Sequence, residues 1–368
     1  MKELLDRGCK VYLVGGAVRD TMLQLPVHDH DYVVTGATPE LMIELGFKQV
    51  GASFPVFLHP DTGDEYALAR TETKTGKGYL GFETSFDPST SIEDDLYRRD
   101  LTINAMAIDV VTGKLIDPYG GMADLEQRRL RHCSLAFAED PLRVFRVARF
   151  AARFAFSVTV ETMQLMSQIV EAGELEHISR DRIWKEMEKG LLEAEPDRMF
   201  YALSSCGALK KLGPWGSVTT GDVVDLSRVA RYTTELVPRF ITVARGFTSK
   251  QLYEAWRIPA SLRKLNENFT MCVDLAMHQF SKLFEDQQIK ILIGSKIRES
   301  DIMLELFELI YWSLDLTLLR YAGEEVKKLD LEAITTKGKT GIEKRDLVRE
   351  AYRDALRIAK LKYTQTHP

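Results

Sequence analysis

Within its first 35 residues the chain runs an apolar stretch, Lys10-Val-Tyr-Leu-Val14, into a glycine turn, Gly15-Gly16-Ala-Val-Arg-Asp20, and then into the acidic pair Asp29 and Asp31. This order constrains the fold more than any other feature. It predicts a strand at Lys10 to Val14, a helix from Ala17 to Leu25, and a second strand at Tyr32-Val-Val34 with the aspartates at its start. In a strand, residues i and i+2 share a face, so the two carboxylates would project side by side, their Cα atoms about 6.6 Å apart. Two such carboxylates suit divalent cations held against a triphosphate. The turn has a matching task, because a strand entering Gly-Gly and then a helix offers free backbone N–H groups and the positive end of a helix dipole to phosphate. A plain βα turn is the commoner meaning of Gly-Gly. Arg19, one helical turn inside, is placed to reach a triphosphate or to pair with Asp20 or Asp29.

Downstream, Phe54 to His59 and Glu65 to Arg70 flank the turn-forming Pro60-Asp-Thr-Gly-Asp64 and read as a β-hairpin. Glu65 stands at the start of the second arm, either as a third carboxylate near the metal or as a surface residue beside a turn. Glycines at 76, 78 and 81 suggest a mobile loop over residues 73–91. From Asp140 onward helical periodicity dominates, interrupted chiefly at Leu212 to Gly221, the best candidate boundary. The fold class expected is α+β: a small mixed or antiparallel sheet head over residues 1–137, a helical neck over 138–213, and an all-α body and tail over 214–368.

With 368 residues, 45% hydrophobic and 28% charged, the chain has the composition of a globular protein with room for more than one core. The four cysteines are scattered, without a Cys-x-x-Cys pair or a nearby His, and read as reduced core thiols rather than a zinc site. Neither a signal-peptide stretch nor eighteen uninterrupted apolar residues is found, so the cytoplasm is the expected compartment and no membrane is expected as a partner. A net charge of -5 means that any nucleic-acid surface is a local patch.

Three further segments carry chemistry or structure. Arg98-Arg-Asp-Leu-Thr-Ile-Asn104 embeds an Asn that needs a hydrogen-bond partner if buried, to fix a loop or touch a ribose. Asp117-Pro-Tyr-Gly-Gly121 reads as a structural turn. Glu139-Asp-Pro-Leu-Arg143 suits a helix start, with Asp140 as N-cap and Pro141 at N1. After it, Arg143, Arg146, Arg149 and Arg153 form a basic band on one helix side with few acids between them.

Taken in order, Gly15-Gly-Ala-Val-Arg-Asp20, Asp29-His-Asp31, Arg98-Arg-Asp100 with Asn104, Asp117-Pro-Tyr-Gly-Gly121 and Glu139-Asp-Pro-Leu-Arg143 resemble the motif set of class II tRNA nucleotidyltransferases. These are the CCA-adding enzymes of the polymerase β-like tRNA nucleotidyltransferase/poly(A) polymerase family. The resemblance covers about residues 9–200, including Asp181-Arg-Ile-Trp-Lys-Glu-Met-Glu-Lys189, which is similar to the family's neck. It implies that Asp29 and Asp31 hold two Mg²⁺ ions, one activating the RNA 3′-hydroxyl and one steadying the leaving pyrophosphate. It also implies that Gly16, Arg19 and Arg99 contact the triphosphate. Asp140 and Arg143 would pair with the edge of cytosine or adenine, and Arg146 and Arg149 would extend that site. A carboxylate accepts from the exocyclic amine of C or A, and with four lone-pair positions it can also serve a helix start.

The C-terminal half departs from the enterobacterial-type members, which carry an HD-type phosphohydrolase domain. The His-Asp pairs here lie inside the nucleotidyl site, so no such second activity is expected. Instead Arg345, Arg349, Arg353 and Arg357 recur at i, i+4 beside Asp346, Glu350 and Asp354, which intrahelical ion pairs explain at about 0.3 to 0.5 kcal/mol each. From Lys337 to Lys362 nine bases face four acids, a local +5 that makes this stretch a candidate surface for the tRNA backbone.

The preferred function is template-independent addition of C, C and A to tRNA 3′ ends from CTP and ATP, with release of pyrophosphate and no obligate protein partner. A CC-adding enzyme or a poly(A) polymerase is the near alternative. The loop at 73–91 favours an enzyme able to complete the terminal A, and acidic composition without a long basic tail weighs against poly(A) polymerase. A non-catalytic RNA-binding protein is the more distant alternative, against which the intact Asp29 and Asp31 stand.

Overall fold

Five-residue strand β1 (Lys10–Val14) forms where its apolar run ends in glycine, and the sheet grows outward from it. The computed structural model describes residues 1–27, 29–50, 56–74, 82–85, 87–276, 283–294, 316–338 and 340–366. β1 lies between β2 (Asp31–Thr35) and β8 (Ala107–Asp109), antiparallel to both, with Val14 opposite Asp31. β2 pairs in parallel with β5 (Glu65–Leu68), which sets Glu65 beside Asp31. With β3 (Lys48–Val50), β4 (Val56–Leu58) and β9 (Leu115–Ile116) the order is β3-β4-β5-β2-β1-β8-β9, a mixed seven-stranded sheet. The hairpin expected over residues 54–70 is β4 and β5. β3 extends it on the outside, a strand too short and too polar to stand out in the sequence.

Period-two alternation separates two cores. On one face Val11 and Val34 pack with Met42, Phe47, Phe57, Tyr66 and Leu68, and Tyr32 stacks on Tyr66 at 4.7 Å. On the other, Tyr12, Val14 and Val33 pack with Ile92, Leu96, Ala105 and Ala107. Each fully buried side chain of this size contributes about 1.5–3 kcal/mol. Asp31 shares the pleat of Val33, so it faces the second side, where helix Ile92–Tyr97 ends just before Arg98 and Arg99.

Several local expectations need correction. The first long helix is Gly16–Met22, not Ala17 to Leu25, and Gln24 takes φ +56° after it. β2 begins at Asp31, so Asp29 precedes the strand and strand geometry orients only one of the two aspartates. Within the expected loop, β6 (Thr71–Lys74) and β7 (Phe82–Ser85) pair as a separate antiparallel ribbon, and residues 75–81 and 86 lie outside the described residues. The glycines masked a ribbon whose arms are rich in β-forming Thr and Phe.

The helical part begins with Arg143–Phe154, Val160–Glu171 and Arg180–Leu192. The chain divides into two compact units, residues 1–190 with 198–211, and residues 191–197 with 212–368. The division at Lys211 and Leu212 falls at the edge of the Leu212–Gly221 interruption, and it leaves sheet and first helices in one unit. In the second unit a buried Arg239 donates to the carbonyls of Leu191, Glu193, Ala230 and Thr233, tying its first helices together. Trp215 stacks on Trp256 at 4.0 Å beneath them. Helix Thr317–Lys327 packs on the long helix Gly341–Thr366, where Glu325 accepts from Lys328 and Lys362. Cys9 and Cys206 are buried free thiols, and Cys133 is a half-buried one. Among the described residues no helix is long and apolar enough to cross a membrane.

Candidate active site

A cleft of about 640 Å³ in the first unit collects most of the residues singled out in the sequence. Its lining includes Gly15, Gly16, Arg19, Asp31, Glu65, Arg99, Asn104, Asp140, Arg143, Arg146, Arg149 and Arg182. That volume lies in the range that holds a nucleotide-sized ligand. Asp29 is exposed just outside this lining, although its charge is felt at Asp31.

At the glycine turn, Gly15 takes φ +67°, and a Cβ there would stand 2.8 Å from Arg99 Nη1. The positive φ is what calls for glycine here, and the guanidinium, at the end of a flexible side chain, packs against the bare backbone it leaves. Arg99 also donates to Asp95 at 3.2 Å, while its buried Nε–H has no hydrogen-bond partner. An arginine held at the turn with a donor to spare suits an anion.

Arg19 is 4% exposed; of the two acids the sequence offered it pairs with Asp20, at 2.8 Å, and Asn104 Oδ1 accepts from it at 2.6 Å, while it still lines the cleft. Asn104 in turn donates to Asp100 Oδ1 at 2.9 Å, so the embedded Asn has the partners its burial demands. Asp100 accepts from Arg146 through Nε at 2.8 Å and Nη2 at 2.7 Å. Burial alone would raise the Asp100 carboxyl, but Arg146, Asn104 and Arg143 outweigh it and hold the group well below the ordinary carboxylate range. Asp20 also accepts from Arg153 at 3.0 Å, and Glu186 accepts from Arg149 at 2.7 Å.

These contacts revise the reading of the basic band. Acids are scarce within helix Arg143–Phe154 itself, yet Asp100, Asp20 and Glu186 arrive from three other segments to meet Arg146, Arg153 and Arg149. Arg149 is the most buried of the four, and Arg143 donates to the carbonyls of Ala136 and Arg98, with burial lowering its pKa. Asp140 accepts from Leu142 N–H at 3.1 Å and from Arg182 at 2.9 Å. Helical residues start only at Arg143, so Asp140 closes an Asx-type turn ahead of the helix instead of occupying the N-cap. Arg182 and Glu186 were not singled out in the sequence. Their spacing of four on one helix was the available signal.

The acidic end fits a hard cation. The Asp31 carboxyl is pushed up by its partly desolvated setting, opposed by Arg99 and His30 and reinforced by Asp29, while the residue keeps an exposed edge toward solvent. A divalent ion would favour the charged form of such a carboxyl, and carboxylate oxygens suit Mg²⁺. Glu65 lines the same cleft, but among the described residues no three His, Cys, Asp or Glu side chains converge as a preformed cluster.

Asp117 accepts from Gly121 N–H at 2.6 Å and Met122 N–H at 2.9 Å, capping helix Gly121–Glu126. A Cβ on Gly121 would lie 2.4 Å from Thr102 O, so glycine permits this helix to press on the Thr102–Asn104 turn. The segment is structural, as its sequence suggests. In the second unit, Arg353 meets Glu285 at 2.9 Å and also Glu350 and Asp286, Arg357 meets Asp354 at 3.3 Å, and Arg345 donates to Gly341 O. Arg349 is exposed. Acids therefore offset part of that arginine stripe.

A sheet with an arginine-lined cleft and Asp31 at its edge suits a ligand that carries phosphate. Residues 11–131 match the family described as Poly A polymerase head domain, and residues 155–215 match the one described as Probable RNA and SrmB-binding site of polymerase A. These matches lie in the N-terminal part of the chain. The chain is 60% identical over 206 residues to the Multifunctional CCA protein of Methylobacillus flagellatus, covering 56% of this chain and 50% of that protein. Similarity to the Multifunctional CCA protein of Nitrosomonas europaea is 57% over 205 residues, covering 56% of this chain and 50% of that one. The chain thus spans about half the length of the curated relatives it matches. In fold, it resembles a CCA-adding enzyme solved with ATP, with a TM-score of 0.71 and 24% identity over 96% of this chain and 87% of that one. The Thermotoga maritima CCA-adding enzyme complexed with tRNA gives a TM-score of 0.64 and 21% identity over 98% of this chain and 93% of that one.

Proposed function

We propose that this chain adds C, C and A to the 3′ end of tRNA, without a nucleic-acid template, by metal-dependent nucleotidyl transfer from CTP and ATP. The observation that carries the reading is the single cleft in which the glycine turn, Asp31, Arg99 and the Asp140 to Arg149 segment meet. The curated relatives at 57% to 60% identity bear the name Multifunctional CCA protein, which favours CCA addition over the poly(A) polymerase reading that the head-domain description also admits.

Asp29 and Asp31 would hold two Mg²⁺ ions. When bound, such ions neutralise the triphosphate and lower the pKa of an attacking hydroxyl. The remaining tasks fall to the chain. Gly15 and Gly16 let the backbone approach the phosphates, and Arg99, with its unpaired Nε–H, balances their charge. Arg19 acts on the phosphates from a buried post fixed by Asp20 and Asn104. Asp140 accepts from the exocyclic amine of C or A, while Arg143, Arg146 and Arg149, each also bonded within the protein, form a positive wall around the base. Glu65 stands beside Asp31 in register and is the place for a third carboxylate. The sheet and first helices would serve as head and neck, and the second unit, with Arg345, Arg349, Arg353 and Arg357, as the body and tail that hold the tRNA backbone. The cytoplasm, where tRNA is matured, is the compartment this function requires.

The test is incorporation of labelled CTP into tRNA by the 368-residue chain in Mg²⁺, compared with Asp29→Asn and Asp31→Asn. Each substitution is expected to lower the rate at least about 10³-fold, the scale of losing charge stabilisation at a phosphoryl-transfer centre. Unchanged rates would remove the carboxylates from the chemistry.

A further inference from the structure

Asp140 is the proposed reader of the base amine, yet its carboxylate already has a donor on each oxygen. Arg182 Nη2 donates to Asp140 Oδ2 at 2.9 Å, and both side chains line the cleft. The other carboxylate oxygen accepts from Leu142 N–H. Arg143, by contrast, turns its two terminal nitrogens onto the main-chain carbonyls of Ala136 and Arg98. The arginine that faces Asp140 across the cleft is therefore Arg182, from the helix that also carries Glu186. Glu186 anchors this helix by accepting from Arg149 at 2.7 Å, one turn further along.

We infer that Arg182 is a specificity-determining residue that stands in for the base: its guanidinium occupies the carboxylate position that the amine of C or A must take. This rests on the proposed role of Asp140. A cytosine or adenine replaces the arginine's N–H donor with its own, so the exchange conserves a hydrogen bond. Uracil and guanine present a carbonyl at the corresponding edge, which cannot replace a donor and meets the carboxylate unfavourably. Arg182 is 31% and Asp140 21% exposed, so the displaced guanidinium regains water and the pair costs little to open.

The sign of the effect separates this role from a structural one. In Arg182→Met the competitor is gone, and CTP and ATP are expected to bind about two- to fivefold more tightly, the worth of one half-exposed ion pair. UTP is expected to bind no better, because it faces a bare carboxylate. Arg182→Lys, which keeps one cationic donor, should restore affinities close to the parent. Calorimetric titration of the full chain with CTP, ATP and UTP in Mg²⁺, without RNA, reads these values, with thermal unfolding of each variant run alongside. Unchanged or weaker CTP and ATP binding in a folded Arg182→Met would overturn the inference. Asp140→Ala distinguishes the two layers. If it leaves preference for CTP over UTP intact, the base-reading role of Asp140 fails. If it abolishes that preference while Arg182→Met does not tighten CTP, the role of Arg182 alone fails.

Discussion

Asp100→Ala tests how far the cleft depends on one buried carboxylate. Asp100 Oδ1 accepts from Leu101 N–H at 2.8 Å and Asn104 Nδ2 at 2.9 Å, and Oδ2 accepts twice from Arg146. Truncation strands two buried donors, at about 1–3 kcal/mol each, and removes the counter-charge of Arg146. Removing one partner of a buried ion pair costs about 3–5 kcal/mol, but Arg146 is 35% exposed and regains part of its hydration. The expected loss is about 3 kcal/mol, read from urea unfolding followed by far-UV circular dichroism at an unchanged denaturant slope. In a cycle with Arg146→Met, the two changes should cost less together than their sum, by about 1 kcal/mol or more. A loss below about 1 kcal/mol, or strict additivity, would refute the picture of Asp100 as the hub joining the Asn104 turn to the arginine helix.

Other predictions follow from the same contacts. Because the folded-state Asp100 carboxyl is depressed below the ordinary aspartate value, its stabilisation is full above that ordinary value and fades as acid carries the pH down toward the folded one; Asp100→Asn should flatten this acid limb in pH-dependent unfolding. Ala155 ends helix Arg143–Phe154 at φ +56°, so Ala155→Gly should stabilise the chain by about 0.5–1 kcal/mol, seen as a raised melting temperature. Gly121→Ala forces a Cβ toward Thr102 O and should cost about 1–3 kcal/mol, with loss of activity if the Asn104 turn shifts. Gly15→Ala combines positive φ with a clash at Arg99, and should weaken triphosphate binding in a nucleotide titration while leaving the remainder folded.

How much of this was legible in the chain varied with the range of the interaction. The strand into Gly15 and the alternation in Lys10–Val14 and Asp31–Thr35 are local; the first strand forms as read, and the second forms without Asp29. The α+β class follows from the change of period near Asp140, which the helices beyond it bear out. Short strands such as Lys48–Val50 carry too few residues to show a period, and the ribbon of Thr71–Lys74 and Phe82–Ser85 was hidden by the glycines between its arms. At the cleft, sequence reading assembled the members but could not assign their bonds. Arg146 and Asp100 lie 46 residues apart, Arg149 and Glu186 lie 37 apart, and Arg153 and Asp20 lie 133 apart, so no local pattern shows that the basic band is matched. Arg182 escaped for the same reason: an arginine on an amphipathic helix becomes informative only when its partner is seen to be Asp140.

The proposed function requires one cleft to add C, C and then A. It is tested most directly by giving the chain tRNA ending at the discriminator base, at C and at CC, with labelled CTP and ATP separately and together in Mg²⁺. The account predicts that CTP extends the first substrate by two residues and the second by one, that ATP alone extends only the third, and that both together complete all three and stop. Contradiction would be extension by CTP that never accepts the final A, unlimited addition of A, or incorporation indifferent to which of the four nucleotides is supplied.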